Sequence, residues 1–223
     1  MNVSNAADPC VTYTEPRKQK ATVTIPATVK INGVTYKITA ISANAFKNNK
    51  KITKVRIGKN VTTIGTNAFN GCRNLKTVTI GSKVATIGNG AFAKCSALTK
   101  ITLPASVKKV GKNAFLNCVK LKTVTGGKGL TTIGVGVFSG CKVLAKITLY
   151  GKVKTIGKNA FLNCKKLKTV VIKSTKLTTK TVGANAFKGI YAKAGFKVPK
   201  AKLKAYKTLL KKKGIGKKAK ITK

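Results

Sequence analysis

The chain reads as an α/β solenoid, a rod of stacked coils with a parallel sheet along one side, a hairpin cap at the N-terminal end and a helical cap at the C-terminal end. Three observations predict this. Phe46, Phe69, Phe92, Phe115, Phe138 and Phe161 recur every 23 residues, and Phe187 follows after 26. Other apolar positions keep the same period: Cys72, Cys95, Cys118, Cys141 and Cys164 each sit three after a Phe, and Leu75, Leu98, Leu121, Leu144 and Leu167 six after. Each unit also carries one short alternating run, L-x-x-V-x-I, as at Leu75-Lys76-Thr77-Val78-Thr79-Ile80. A fixed period in the twenties marks a solenoid, because one coil cannot bury its apolar face except against its neighbours.

The elements follow in order. Residues 1–40 are read as an N-terminal cap. Within it residues 21–40 form a hairpin, with Asn32-Gly33 as a type I′ turn between Val29-Lys30-Ile31 and Val34-Thr35-Tyr36; both central residues of that turn need positive φ, which Asn and Gly supply. Residues 41–190 carry the 23-residue units. Their alternating runs align into one parallel sheet of about seven coils, roughly 30 Å long at a strand spacing of about 4.8 Å. The I-G-x-x-A-F segment then turns back along the opposite side. There Gly65, Gly88, Gly111, Gly134 and Gly157 supply a turn that a Cβ would hinder. Residues 191–223 are a basic C-terminal cap. Pro199 opens a helix that runs to about Lys213, Gly214 stops it, and Leu203, Tyr206 and Leu210 make its apolar stripe. Terminal coils need such covers to stay soluble.

The unit running from Cys95-Ser96-Ala97-Leu98-Thr99-Lys100-Ile101-Thr102-Leu103-Pro104 through Val110-Gly111-Lys112-Asn113-Ala114-Phe115 resembles the BspA-type leucine-rich repeat, and the resemblance covers about residues 38–190. It implies a leucine-rich-repeat solenoid wound as a right-handed superhelix. It also implies a place among secreted or surface-attached bacterial proteins that act as adhesins.

Composition bounds the chemistry. Hydrophobic residues make up an ordinary 43%, but 47 Lys plus Arg stand against two Asp plus Glu, a net charge of +45. The acids are Asp8 and Glu15, no carboxylate side chain occurs from Arg17 to Lys223, and there is no His. General acid–base catalysis at neutral pH draws on His, Asp or Glu, and a Ser or Cys nucleophile needs a base. Hard metal ions need carboxylate oxygens. No catalytic residue, metal ligand or cofactor is therefore expected, and the chain is read as a non-enzyme. No run of 18 apolar residues is present to span a bilayer, and no apolar signal segment is visible at the N-terminus.

The five repeat cysteines form no C-x-x-C pair and read as a buried ladder of small apolar side chains; Cys10 stands apart. The phenylalanines read as core rather than as stacking platforms for bases.

The cations carry the functional expectation. Each unit has one seven or eight residues after its Phe: Lys54, Lys76, Lys100, Lys122, Lys146 and Lys168. The two offsets alternate, so cations at one offset recur every second coil, about 10 Å apart. A second row before the strand comprises Lys50, Arg73, Lys120, Lys142 and Lys165, and a third after it comprises Lys59, Lys83, Lys128 and Lys152. A surface chosen for solubility alone mixes both signs, and here one sign is missing, which points to a polyanion partner. Only three of the 47 cations are Arg, the residue that reads bases bidentately, so binding without sequence readout is expected. Double-stranded DNA is the leading partner. Its charge density, one per about 1.7 Å, means that a single straight contact cannot match the protein's charge, so the protein would wrap the duplex, bridge two duplexes, or self-associate to coat the ligand in many copies. The alternative is a secreted or cell-surface adhesin for host protein or an anionic cell-wall polymer; an extracellular or cell-surface location goes with it. Residues 188–223 hold fourteen lysines, but the short apolar stripe of the tail helix favours capping over membrane contact.

Overall fold

The computed structural model describes residues 3–4, 10–14 and 20–223. Asp8, Glu15 and Arg17 lie outside them, and of Cys10 the backbone alone is described.

The repeat folds as a parallel-sheet β-solenoid with two sheets rather than one. The front sheet stacks nine strands in chain order: Thr22–Ile25, Lys54–Ile57, Thr77–Thr79, Lys100–Leu103, Thr123–Gly126, Lys146–Leu149, Thr169–Ile172, Gly195–Lys197 and Lys220–Thr222. At about 4.8 Å per strand it is roughly 38 Å long, beyond the 30 Å expected from seven coils. Through the repeats the back sheet is built from two-residue strands such as Thr63–Ile64, Thr86–Ile87 and Lys109–Val110, paired in parallel, and longer strands join it at the N-terminal end. The sequence reading missed it because two residues are too short to show alternation. The Phe segments add a third set of inter-coil bonds. Phe69 N–H donates to Ala91 O at 2.7 Å, and Phe92 N–H to Ala114 O at 2.8 Å. Among the described residues the only α-helix is Leu203–Lys212, so the α/β expectation is corrected to a β-solenoid.

The core fills the coils. Phe46 to Phe187 stack face to face, with ring centroids 4.9–5.5 Å apart. Phe196 then closes the stack edge-on to Phe187. The cysteine ladder is buried as expected, each thiol donating to the Phe carbonyl of the preceding coil, as Cys118 Sγ does to Phe92 O at 3.1 Å. A Cβ would be hindered at the I-G glycines, as expected, and the obstacle is the backbone of the preceding coil rather than a left-handed turn. None of Gly65, Gly88, Gly111, Gly134 and Gly157 has positive φ. Instead the coils approach too closely for a side chain: a Cβ on Gly88 would lie 2.7 Å from the carbonyl carbon of Gly65.

At the N-terminal end the Asn32-Gly33 turn forms, with φ of 48° and 80°, and joins Thr28–Ile31 to the eight-residue strand Val34–Ile41. It does not close the end of the sheet. Lys37 pairs with Thr28 on one edge and with Cys10 on the other, so the Cys10–Tyr13 strand lies outside the hairpin. Thr22–Ile25, expected within the hairpin, instead opens the front sheet beside Lys54–Ile57. At the other end a short 3-10 turn at Lys200–Lys202 leads into the helix. Tyr206, Leu209 and Leu210 are its buried face. Tyr206 Oη donates to Ser174 O at 2.8 Å and accepts from Leu177 N–H at 3.2 Å, which ties the helix to the last coils. The front sheet runs on past residue 190 through Gly195–Lys197 and Lys220–Thr222.

Candidate polyanion-binding groove

The first row of cations sits on the leading edge of the front sheet as a checkerboard. Lys54, Thr77, Lys100, Thr123, Lys146 and Thr169 are in register, so Lys alternates with Thr at this position. One residue earlier the order is offset by a coil. Lys76 N–H donates to Thr53 O at 2.8 Å and Lys122 N–H to Thr99 O at 2.9 Å, so here Lys76 and Lys122 stack on a Thr and Lys168 on Ala145. No two of these lysines occupy the same position in adjacent coils, where they would be about 4.8 Å apart. Like charges in direct register are destabilising, and the stagger avoids them. Five of these six lysines are exposed and Lys54 is half-buried.

The other rows are less continuous than the sequence suggested. Lys50, Arg73, Lys142 and Lys165 share one position and are exposed, but Ser96 and Val119 interrupt them. Lys120 lies one residue further on, in register with Lys166 two coils later. Lys59 and Lys128 share a position three coils apart, as do Lys83 and Lys152 at the next, so this row reduces to two diagonal pairs on adjacent coils; all four are exposed.

One place gathers the charge. Lys120 and Lys122 on one coil and Lys166 and Lys168 two coils later flank a groove of about 470 Å³, with Val143 and Ala145 of the intervening coil on its floor. Ala145 N–H donates to Lys122 O at 3.5 Å, and Lys168 N–H donates to Ala145 O at 2.9 Å, so the sheet itself sets the separation of the walls. That separation is two strand spacings, about 10 Å. The walls bear four lysines, and small side chains between them leave the ammonium groups room to converge on one anion or on neighbouring anions of a chain. Lys168 Nζ also lies over the Tyr191 ring, 5.3 Å from its centroid, and Tyr191 is one of the few large apolar residues left exposed. Tyr191 does not line the groove itself but borders it through this contact with Lys168. Lys166 and Tyr191 were missed from the sequence. The signal for Lys166 was its 46-residue spacing from Lys120; nothing local marks Tyr191.

The arrangement has the chemistry of a charge cradle. Lys presents a compact hydrated charge rather than a planar fork, and no carboxylate side chain occurs in residues 20–223 to compete with a ligand.

Comparison with known proteins agrees with the fold. A model of the BspA type leucine rich repeat region matches in six copies, over residues 37–168 and 86–206. A leucine rich cell surface protein from Faecalibacterium prausnitzii superposes with a TM-score of 0.77 at 35% identity, over 88% of this chain and 52% of its own. A leucine-rich repeat protein from Bacteroides ovatus, 24% identical, superposes at 0.60 over 90% of this chain and 58% of its own. The Treponema pallidum leucine rich repeat protein, 20% identical, also superposes at 0.60, over 98% and 96% of the two chains. The last two likenesses are of fold alone. The chain spans little more than half the length of the first two structures. No curated protein matches it.

Proposed function

The chain belongs to the BspA type leucine-rich repeat family, and we propose that it is a non-enzymatic binding module of a bacterial cell surface whose ligand is an anionic surface polymer. The observation that carries this is the groove in which Lys120, Lys122, Lys166 and Lys168 face one another across Val143 and Ala145. Such a cradle takes anionic groups repeated along a backbone without reading a sequence, because lysine ammonium groups contact any suitably spaced phosphate, sulfate or carboxylate. Tyr191 beside Lys168 offers a flat apolar face to a sugar ring of the same polymer. The cell-surface relative favours a wall or host-surface polymer over a nucleic acid. Duplex DNA, the partner that charge alone suggests, gains no support from the family or its structural neighbours. The checkerboard extends the contact to neighbouring coils, and several copies bind side by side along a long polymer.

The test is binding at physiological salt to four immobilised polymers side by side: teichoic acid, heparin, duplex DNA and neutral dextran. The reading expects teichoic acid or heparin to bind tightest and dextran not at all. Equal binding to all three polyanions reduces the interaction to net charge, and preference for DNA overturns the surface reading.

A further inference from the structure

The front sheet is not uniformly paired. Four residue pairs join Lys100–Leu103 to Thr123–Gly126, and four join Lys146–Leu149 to Thr169–Ile172. The ladder lapses twice: between Thr77–Thr79 and Lys100–Leu103 only Thr77 pairs with Lys100, and between Thr123–Gly126 and Lys146–Leu149 only Thr123 with Lys146. At the first lapse the last strand position still carries the buried Ile80. At the second, neighbouring coils place a buried apolar side chain there, Leu103 on one side and Leu149 on the other, and the coil between them has Gly126. Gly126 and Gly127 both have φ of 75°, a conformation that L side chains rarely adopt. Gly127 N–H donates to Leu103 O at 2.8 Å, which holds this strand end on the preceding coil, while its pairing with the following coil lapses.

A missing side chain and a lapsed ladder together leave a cleft of about 350 Å³. Its depth is apolar: Leu103, Ile147, Leu149 and Phe138 line it. Tyr150 stands at its border, and the strand-edge cations Lys122 and Lys146 are part of its wall. The volume falls in the range of small-molecule sites, about 300–1,000 Å³. Void space of this kind destabilises the protein that carries it, because the lining atoms lose dispersion partners. An apolar occupant restores them.

We propose that this cleft binds an anionic amphiphile with a single alkyl chain, the chain lying among Leu103, Phe138, Ile147 and Leu149 and the headgroup resting on Lys122 and Lys146. The space opens where one side chain is missing between Leu103 and Leu149, and an unbranched chain is the apolar group that replaces it with least bulk. Charge complementarity fixes the other end, since no carboxylate side chain in residues 20–223 neutralises the two lysines. The cleft shares Lys122 and Ala145 with the groove, and Lys146 with the checkerboard, but its apolar depth plays no part in the polymer reading, so either can fail without the other.

The experiment is a titration of the full chain, labelled at its Leu, Ile and Val methyl groups, with dodecanoate at physiological salt and no polymer present. Saturable shifts confined to the methyl groups that line the cleft, those of Leu103, Val124, Leu130, Ile147 and Leu149 among them, are expected. Acetate should produce none, and neutral dodecanol should bind roughly tenfold more weakly for want of charge-assisted contacts. Val124→Phe, which fills the cleft from its lining, should abolish the shifts. If that variant fails to fold, the acetate and dodecanol comparison on the unmodified chain still decides. Shifts scattered over the lysine-bearing surface, equal binding to Val124→Phe, dodecanol binding as tightly as dodecanoate, or no binding would each overturn the proposal.

Discussion

Lys122 and Lys168 hold the same strand position two coils apart, joined through the backbone of Ala145, which donates to Lys122 O at 3.5 Å and accepts from Lys168 N–H at 2.9 Å. Their separation is thus a property of the sheet and not of side-chain preference. The cations are held in a fixed array, and that array has consequences for stability as well as for binding.

Stability should rise with salt. Residues 20–223 carry no carboxylate side chain, so the array repels itself with nothing internal to offset it. Screening shortens from about 30 Å at 0.01 M to about 8 Å at 0.15 M. The melting midpoint is expected to climb over this range, and to climb further when heparin is added, because a ligand of the folded form stabilises it. Calorimetry at the two salt concentrations checks both; a flat midpoint would show that the repulsion is unimportant.

The phenylalanine stack should dominate the core. Phe115 packs between Phe92 and Phe138 at 5.4 Å and 5.5 Å. Phe115→Ala is expected to cost about 3–5 kcal/mol, through lost burial and the cavity left behind. Urea unfolding measures it.

The close approach of coils at the I-G positions predicts an unusual cost for a small change. Gly88→Ala places a Cβ 2.7 Å from the carbonyl carbon of Gly65, and backbone must move to admit it. A loss of about 1–3 kcal/mol is expected, against a near-neutral effect for Gly151→Ala, whose nearest such neighbour is 4.0 Å away.

Burial pushes the Cys164 thiol up to about 12 from an ordinary value of 9.0. The folded state therefore holds this proton where the unfolded chain has released it. The stabilisation is complete below pH 9.0 and is lost as pH rises toward about 12. The stability difference between the parent and Cys164→Ala should shrink over that window. At neutral pH the thiol should react with alkylating reagents only as fast as the chain unfolds, which peptide mapping by mass spectrometry can follow.

Much of the fold was legible because the pattern is long and strict. Phe, Cys and Leu at fixed offsets leave only stacking as a way to bury them, and the structure places all three in the core. The Asn32-Gly33 turn and the helix closed by Gly214 were legible from local backbone chemistry. The second sheet was not, since Thr86–Ile87 and its counterparts are two residues long. Nor was the outward position of Cys10–Tyr13 beyond the hairpin, which depends on a pairing some 27 residues away. At the site, offset counting found the alternation of Lys76, Lys100, Lys122 and Lys146. It missed Lys166, which joins the groove through inter-coil register, and Tyr191, whose ring meets Lys168 at the groove's border. Nothing local gives Gly126 a role. Only the register of the sheet shows that it stands where Leu103 and Leu149 fill the core.

The most direct test of the account compares two variants of equal charge. In one, Lys120, Lys122, Lys166 and Lys168 are replaced by Gln; in the other, the exposed tail residues Lys204, Lys207, Lys211 and Lys212 are replaced by Gln. Affinity for heparin is measured as a function of salt for both and for the parent. If the groove is the contact, its variant loses affinity far more than the tail variant, and its log–log salt slope falls by roughly three to four, as for that many lost ionic contacts. Equal losses and equal slopes in the two variants would mean that net charge alone binds the polymer, and would contradict a built site.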